Sequence, residues 1–328
     1  MRPKLNDVAK KAGVSPTTVS RVINNYGYLS QKTKDKVYAA MKELNYQPNT
    51  LARSLQGKST KLIGLIFPQI THPFFAQLVE EIEKSLFIRG YKVILCNAFG
   101  DKHKEREYLN MLLANQVDGV IAGAHNLGIE EYHKTGLPIV SFDRKLSPQI
   151  PIVSCDNYQG TLLATNKLYQ ANCRKIYFLG SAKSKGNPTD QRLAGYQDTM
   201  QKLGLTPHFH ALNFSDSTAL RALAIRQLLA KDVDGIVCSD DLAAILVLQE
   251  AAKLNIDVPK DLKVTGFDGT RFILDYYPQL STVKQPIEDI AALLVNVLLE
   301  RIKNPDKQLE AASYSLPVSF LDRNSTAI

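Results

Sequence analysis

A chain of 328 residues has room for two or three domains, and its 45% hydrophobic and 22% charged residues give an ordinary globular balance. Its longest apolar stretch, 290–299, is interrupted by Asn296 far short of the ~18 residues a spanning helix needs, and no apolar secretory region follows Met1. The net charge of +8 is confined to the first sixth: residues 1–60 hold 11 Lys+Arg and 3 Asp+Glu, while the remaining 268 residues hold 29 of each.

Four cysteines, at 96, 155, 173 and 238, have no metal or redox spacing and predict buried free thiols in a reducing compartment. Membrane, secreted and disulfide-scaffold classes are thereby set aside. A cytoplasmic protein without metal or cofactor is expected. A small basic module on a neutral body is the electrostatic footprint of a polyanion binder.

Within that module, Asn6-Asp7 is expected to cap a first helix carrying Val8, Ala9 and Ala12, with Gly13-Val14 as the turn. Ser15-Pro16 reads as N-cap and first position of a second helix, whose Val19, Val22 and Ile23 face inward. Pro16, Thr17, Thr18, Ser20, Arg21 and Asn24 are left for a partner. A third helix, about 32–44, aligns Val37, Ala40, Met41 and Leu44 on one face. Two short helices on a Gly turn, buttressed by a third, are the plan of a helix-turn-helix DNA reader. Arg21 is the one long fork able to bind guanine bidentately, worth about 1–3 kcal/mol of discrimination.

The runs Asp7-Val8-Ala9, Ala12-Gly13-Val14-Ser15 and Thr18-Val19-Ser20-Arg21-Val22-Ile23-Asn24 resemble the signature of the lactose-repressor (LacI/GalR) family of bacterial transcription regulators, and the likeness runs along the whole chain. Within it, 19–29, 115–132 and 264–285 resemble the branch that controls sucrose use in Gram-positive bacteria.

After Tyr46-Gln47-Pro48 the third helix is broken; Asn49 can cap a short segment, 50–56, closed by Gly57. Seven residues are too few for a helix alone in water, yet Leu51 and Leu55 form an apolar i, i+4 pair and Arg53 and Lys58 add charge. The resemblance implies a hinge helix that pairs with its twin in the minor groove of a bent operator, with Leu55 as the wedge.

From Lys61 onward, continuously apolar runs (62–67, 91–96, 117–122, 138–142, 175–179, 235–239, 262–267) alternate with amphipathic helices such as 74–89 and 241–254. This predicts parallel sheets covered on both faces, in two doubly wound lobes. The helix 285–303 and a strand at 314–318 cross back over both. The resemblance implies the architecture of periplasmic sugar-binding proteins. The expected boundaries are 1–46 for the DNA reader, 47–60 for the hinge and 61–328 for the effector unit, with lobe 1 about 61–158 and 285–312 and lobe 2 about 159–284 and 313–328.

Ligands of open α/β sheets sit beyond the carboxyl ends of strands. Those ends offer His72-Pro73-Phe74-Phe75, Asp143-Arg144, Asp240-Asp241 and Asp268, a set of carboxylates and rings suited to vicinal hydroxyls and an apolar sugar face. Asp240 and Asp241 can equally cap the following helix, Phe75 can be core, and Asp143 can pair with Arg144. The resemblance extends the effector set to Arg192 of Arg192-Leu193-Ala194-Gly195-Tyr196, Phe214 and Ser239, beside Phe74, Asp143 and Asp268. Gly186 replaces the arginine of purine-responsive members, which disfavours a nucleobase. His72, His103, His125 and His133 are expected on the surface or in loops.

No phosphate-binding, nucleophile-elbow or zinc motif is present, so an enzyme is not expected. The ending at Ile328 carries no leucine heptad, so a dimer is expected and a tetramer is not. The partners implied are a pseudo-palindromic operator DNA, a second copy of the chain, and a small sugar or sugar phosphate. A global catabolite regulator using a phosphorylated carrier protein as corepressor is the alternative.

Overall fold

The computed structural model describes residues 3–24, 26–47, 59–123, 126, 128–133, 136–181, 187–213, 216–305 and 313–327. The chain divides into two compact units, Met1–Thr60 and Lys61–Ile328.

The first unit contains α1 (Leu5–Ala12), α2 (Pro16–Ile23) and α3 (Gln31–Glu43). Its core is small: Val8, Ala9, Ala12, Val19, Val22, Val37 and Ala40 are buried, with Ile23, Met41 and Leu44 packed beside them. Gly13 takes φ +67 at the end of α1, the left-handed turn that lets α2 set off at once. Ser15 caps α2 by accepting from the Thr18 amide at 3.1 Å, and Pro16 is its first residue. The cap of α1 differs from the sequence expectation. The helix begins at Leu5, so Asn6 and Asp7 lie inside it, and the Asp7 carboxylate accepts from the Lys4 amide at 2.8 Å. A carboxylate three residues into a helix satisfies an otherwise orphaned N–H as well as a capping residue does.

The second unit holds two six-stranded sheets. The first contains β1 (Leu62–Phe67), β2 (Lys92–Asn97), β3 (Gly119–Ala122), β4 (Ile139–Phe142), β5 (Ile152–Cys155) and β11 (Ser313–Leu316), in the order β11-β5-β4-β3-β1-β2. The second contains β6 (Ile176–Gly180), β7 (His208–Ala211), β8 (Gly235–Cys238), β9 (Lys263–Asp268), β10 (Ser281–Lys284) and β12 (Ser319–Leu321), in the order β12-β10-β9-β8-β6-β7. All pairings are parallel except β10 with β12. Connecting helices include α4 (Pro73–Ile88), α5 (Lys102–Ala114), α6 (Asn157–Gln170), α7 (Asp190–Lys202), α8 (Thr218–Leu229), α9 (Asp241–Lys253), α10 (Arg271–Tyr276) and α11 (Ile287–Lys303).

The chain passes between the lobes three times: after β5, after β10 and after β11. The third passage corrects the boundary read from sequence. Residues 313–316 pair with Ile152–Cys155 and belong to the first sheet, and only β12 joins the second. Pro317 supplies the break, since it cannot donate to a ladder.

Candidate functional site: a polar cleft between two lobes and an exposed recognition helix

On α2, Pro16, Thr17 and Arg21 are exposed, while Thr18, Ser20 and Asn24 are half-buried. Four of the six candidates, Thr18, Ser20, Arg21 and Asn24, make internal hydrogen bonds. The Thr18 hydroxyl meets Ser15 Oγ at 2.9 Å, and Asn24 Nδ2 donates to the Ser20 carbonyl at 2.8 Å, closing the end of the helix. Arg21 Nε points to the Tyr26 carbonyl at 3.4 Å, and its guanidinium lies over Gly27, where any Cβ would fall 2.4 Å from Nη2. Tyr26 and Tyr28 extend the same surface at 69% and 95% exposure. Sequence patterning passed over these two tyrosines because they follow the helix. Asn49, Arg53 and Leu55 lie outside the described residues.

In the second unit, the ends of the strands converge on a polar chain that spans both lobes. Asp143 follows β4 in the left-handed region, φ +53, and is buried. Its Oδ1 accepts from Asn157 Nδ2 at 3.0 Å. The other end of the same amide accepts from Arg192 Nε at 2.7 Å. Arg192 Nη1 donates to the Ser239 carbonyl at 2.6 Å and lies 3.9 Å from Asp268 Oδ1. Its guanidinium stacks 3.7 Å from the Phe267 ring centroid. Asp268 Oδ1 in turn accepts from Gln285 Nε2 at 2.8 Å. Asp143 and Asp268 therefore share one cation, and Asn157 and Gln285 hold them to the first two passages between the lobes.

Local sequence explains the placement of each group. Gly195 lets α6 and α7 touch, because a Cβ there would fall 2.3 Å from the Tyr158 carbonyl oxygen. That close approach brings Arg192 against Asn157. The Tyr196 hydroxyl locks α7 to the sheet, donating to the Ile176 carbonyl at 2.7 Å and accepting from the His208 amide at 2.8 Å. Asp268 sits at φ +125, a strained backbone for a residue with a side chain.

Burial dominates the electrostatics. It raises the Asp143 carboxyl to about 6, although Arg192 and Asn157 pull the other way. Burial also holds Asp268 well above the ordinary carboxylate range, against the pull of Arg192 and with a further push from Asp241 and Asp240. Asp241 is raised to about 7 by burial; it accepts from the Gly269 amide at 2.7 Å and the Thr282 hydroxyl at 2.5 Å, a structural commitment behind the cleft. Arg192 is the guanidinium bonded into this chain, and burial favours the neutral form of Asp143 and Asp268, in which each carboxyl can donate as well as accept.

Other candidates are resolved differently. Phe74 stacks on Phe142 at 5.6 Å, and Phe75 packs on Phe67 at 6.1 Å; both are buried in the core of the first lobe. Ser239 contributes its carbonyl, while its hydroxyl donates to Asp240 Oδ2 at 3.0 Å. Asp240 is the N-cap of α9, accepting from the Ala243 amide at 2.8 Å. Arg144 is buried, and the charges that act on it are those of Glu105 and Tyr132. Phe214 and His125 lie outside the described residues.

Three residues were missed. Asn157 and Gln285 each follow a strand that hydropathy did not reveal, so the rule of strand ends had nothing to act on. His72, expected on the surface or in a loop, lies in the loop before α4 and is buried there as its N-cap, with its pKa lowered chiefly by burial. All four cysteines are free and buried. Among the described residues no helix is long and apolar enough to cross a membrane, and no group of side chains could hold a metal ion.

An exposed recognition helix on one unit and a two-lobed polar cleft in the other define a ligand-binding transcription regulator. Residues 4–49 match the family described as bacterial regulatory proteins, lacI family, and residues 60–287 match periplasmic binding proteins and sugar binding domain of LacI family. Over 322 residues the sequence is 57% identical to the sucrose operon repressor of Pediococcus pentosaceus, covering 98% of each chain. The fold superposes on the lac repressor dimer bound to operator and the anti-inducer ONPF with a TM-score of 0.85 at 26% identity, over 100% of both chains. It also superposes on a periplasmic binding protein/LacI transcriptional regulator of Alkaliphilus metalliredigens QYMF complexed with D-xylulofuranose, with a TM-score of 0.74 at 30% identity over 82% of this chain and 100% of the other. The chain belongs to the LacI family of bacterial regulatory proteins: a sugar-responsive, DNA-binding repressor and not an enzyme.

Proposed function

We propose that this protein represses genes of sucrose utilisation in the cytoplasm, as a homodimer on a pseudo-palindromic operator, and that a small sugar bound between the lobes lowers its operator affinity. The observation that carries the effector site is the continuous chain Asp143–Asn157–Arg192–Asp268, which joins residues of both lobes through one guanidinium. A ligand hydroxyl placed there touches both lobes at once, so its binding free energy depends on their relative angle. Such a ligand can shift the equilibrium only by its differential affinity for the two arrangements, ~1.4 kcal/mol for each tenfold. The sucrose assignment is supported by the Pediococcus relative, 57% identical along nearly the full length. A closed two-fold dimer matches a palindromic site half for half.

For operator contact, Pro16, Thr17, Ser20 and Arg21 are available on α2. The proposed hinge contribution of Asn49, Arg53 and Leu55 rests on the family resemblance.

Operator binding by fluorescence anisotropy, with and without sucrose or fructose, tests the whole reading. Arg192→Ala is expected to keep operator binding and lose the sugar response. Loss of DNA binding by that variant, with its fold intact, contradicts the assignment of the cleft. Affinity is also expected to fall steeply with salt, since the 11 basic residues of 1–60 serve phosphates.

A further inference from the structure

We infer that Gly27, just beyond the recognition helix, is the positioning residue for Arg21: its missing side chain seats the guanidinium so that Arg21 reads guanine with its terminal Nη1–Nη2 edge. The inference rests on the reading of α2 as the operator-contacting helix and specifies how its one long fork is held.

The seat is built from backbone. The Tyr26 amide donates to the Arg21 carbonyl at 2.9 Å, and Arg21 Nε points back to the Tyr26 carbonyl at 3.4 Å, so the two residues are tied twice. Gly27 follows with φ +72, and the guanidinium lies over it. The three atoms nearest a Cβ built there all belong to Arg21: Nη2 at 2.4 Å, Cζ at 3.3 Å and Nε at 3.5 Å. A carbon at that point would evict the guanidinium, since non-bonded heavy atoms settle at about 3.5–4.0 Å. The space that a side chain at 27 would fill is the space Arg21 occupies.

The stem of Arg21 is fixed as well. Val19 and Val22 on either side of it are buried, and Asn24 Nδ2 closes the end of the helix on the Ser20 carbonyl at 2.8 Å. An arginine left to swing gives up rotamer freedom when it grips a base, and one already seated gives up less.

Chemistry then selects the edge. A guanidinium can meet the O6 and N7 acceptors of guanine side-on, through Nε and Nη2, or end-on, through Nη1 and Nη2. Turning Nε to the Tyr26 carbonyl withdraws the side-on pair, and no described residue takes Nη1 or Nη2. The end-on pair remains for the operator. Gly27 thus controls where the guanidinium sits and leaves its charge alone. A side chain at 27 should act on the one base pair that Arg21 reads, while the phosphate contacts that position the protein stay as they are.

Fluorescence anisotropy of the full-length protein tests this, on an operator selected in vitro with the unaltered chain and on duplexes carrying each single base-pair change in its half-site. Arg21→Ala first identifies the base pair that Arg21 reads, as the position where discrimination is lost. Gly27→Asn is expected to lower discrimination there by at least about fivefold and to leave the rest of the profile in place. Asparagine tolerates the left-handed backbone, so this variant keeps the turn while adding the Cβ, and a merely structural glycine would be rescued by it. Gly27→Ala, which adds the same Cβ with more backbone strain, is expected to relax the same position. In the Arg21→Ala background, Gly27→Asn is expected to have no further effect there. An unaltered profile for Gly27→Asn, a uniform loss at every position, or an equal effect with and without Arg21 overturns the inference. If no operator can be selected, or Arg21→Ala changes no position, the operator reading of α2 fails and this inference with it.

Discussion

Replacing Asp143 by Asn should make the ligand-free protein more stable at neutral pH. The ordinary carboxyl value is 3.8, and in the folded chain burial raises it to about 6. Between those two values the folded state holds a proton that the unfolded state has released, so stability falls as pH rises through this window and is flat above it. At 1.36 kcal/mol for each pH unit, the gap corresponds to about 3 kcal/mol of stability lost by pH 7. An amide at the same position has no ionised form to bury. It also tolerates the left-handed backbone of φ +53 and can still accept from Asn157 Nδ2. Urea denaturation of both proteins at pH 4 and pH 7.5 measures the effect: near equality at pH 4, and a gain for Asp143→Asn approaching 3 kcal/mol at pH 7.5. A variant less stable at pH 7.5, or one with the same gain at both pH values, refutes the claim that an ionised, desolvated carboxylate is tolerated there. The same substitution is expected to weaken sugar binding, a cost typical of sites kept below their stability optimum.

Gly266→Ala should destabilise the effector unit by about 2–5 kcal/mol in urea titrations. Its Cβ would fall 2.1 Å from Asp241 Oδ1 and push that carboxylate off its partners, the Gly269 amide and the Thr282 hydroxyl. Ser15→Ala removes the acceptor for the Thr18 amide and should cost α2 about 1 kcal/mol, seen as several-fold faster hydrogen exchange in α2 and weaker operator binding. Arg271→Ala removes contacts from Nη2 to Glu80 at 2.7 Å and Glu81 at 2.9 Å. Because Arg271 and Glu80 are about half exposed, thermal melts should show a loss under about 1 kcal/mol that vanishes in 1 M salt. Gln77→Ala should cost more than Arg271→Ala, since the buried Gln77 amide accepts from the Arg271 backbone at 2.9 Å and its Nε2 faces Glu288.

The parts of this fold written in hydropathy were open to reading. Strand β1 at Leu62–Phe67 is continuously apolar and begins and ends where the pattern says. The three helices of the DNA-reading unit follow from the spacing of Val8, Val19, Val22 and Val37. What stayed hidden is structure whose burial is polar. In β10, Ser281 and Thr282 are wholly buried, because Ser325, Thr326 and Asp241 satisfy their hydroxyls and amides. A hydropathy scan counts them as surface. Strand β7, His208–Ala211, forms a sheet edge and alternates half-buried and exposed positions, so it shows no apolar run. Strand β5 is only four residues long, with Ser154 in its middle.

The site inherits the same limits. Asp143 and Asp268 follow strands that were visible, and Asn157 and Gln285 follow strands that were not. The capping role of Asp240 is local and was one of two readings open in the sequence, as was the core role of Phe75; only the packing of Phe75 on Phe67 decides the latter.

Asn157 and Gln285 stand where the polypeptide changes lobe, and they also orient the two acids of the cleft. Taste and reflex thus share the same amides. A lineage that swaps either one to welcome a new carbohydrate alters the stiffness of its own joint in the same stroke. Variation in diet should therefore accumulate at positions away from these pivots, with the pivots themselves handed down together.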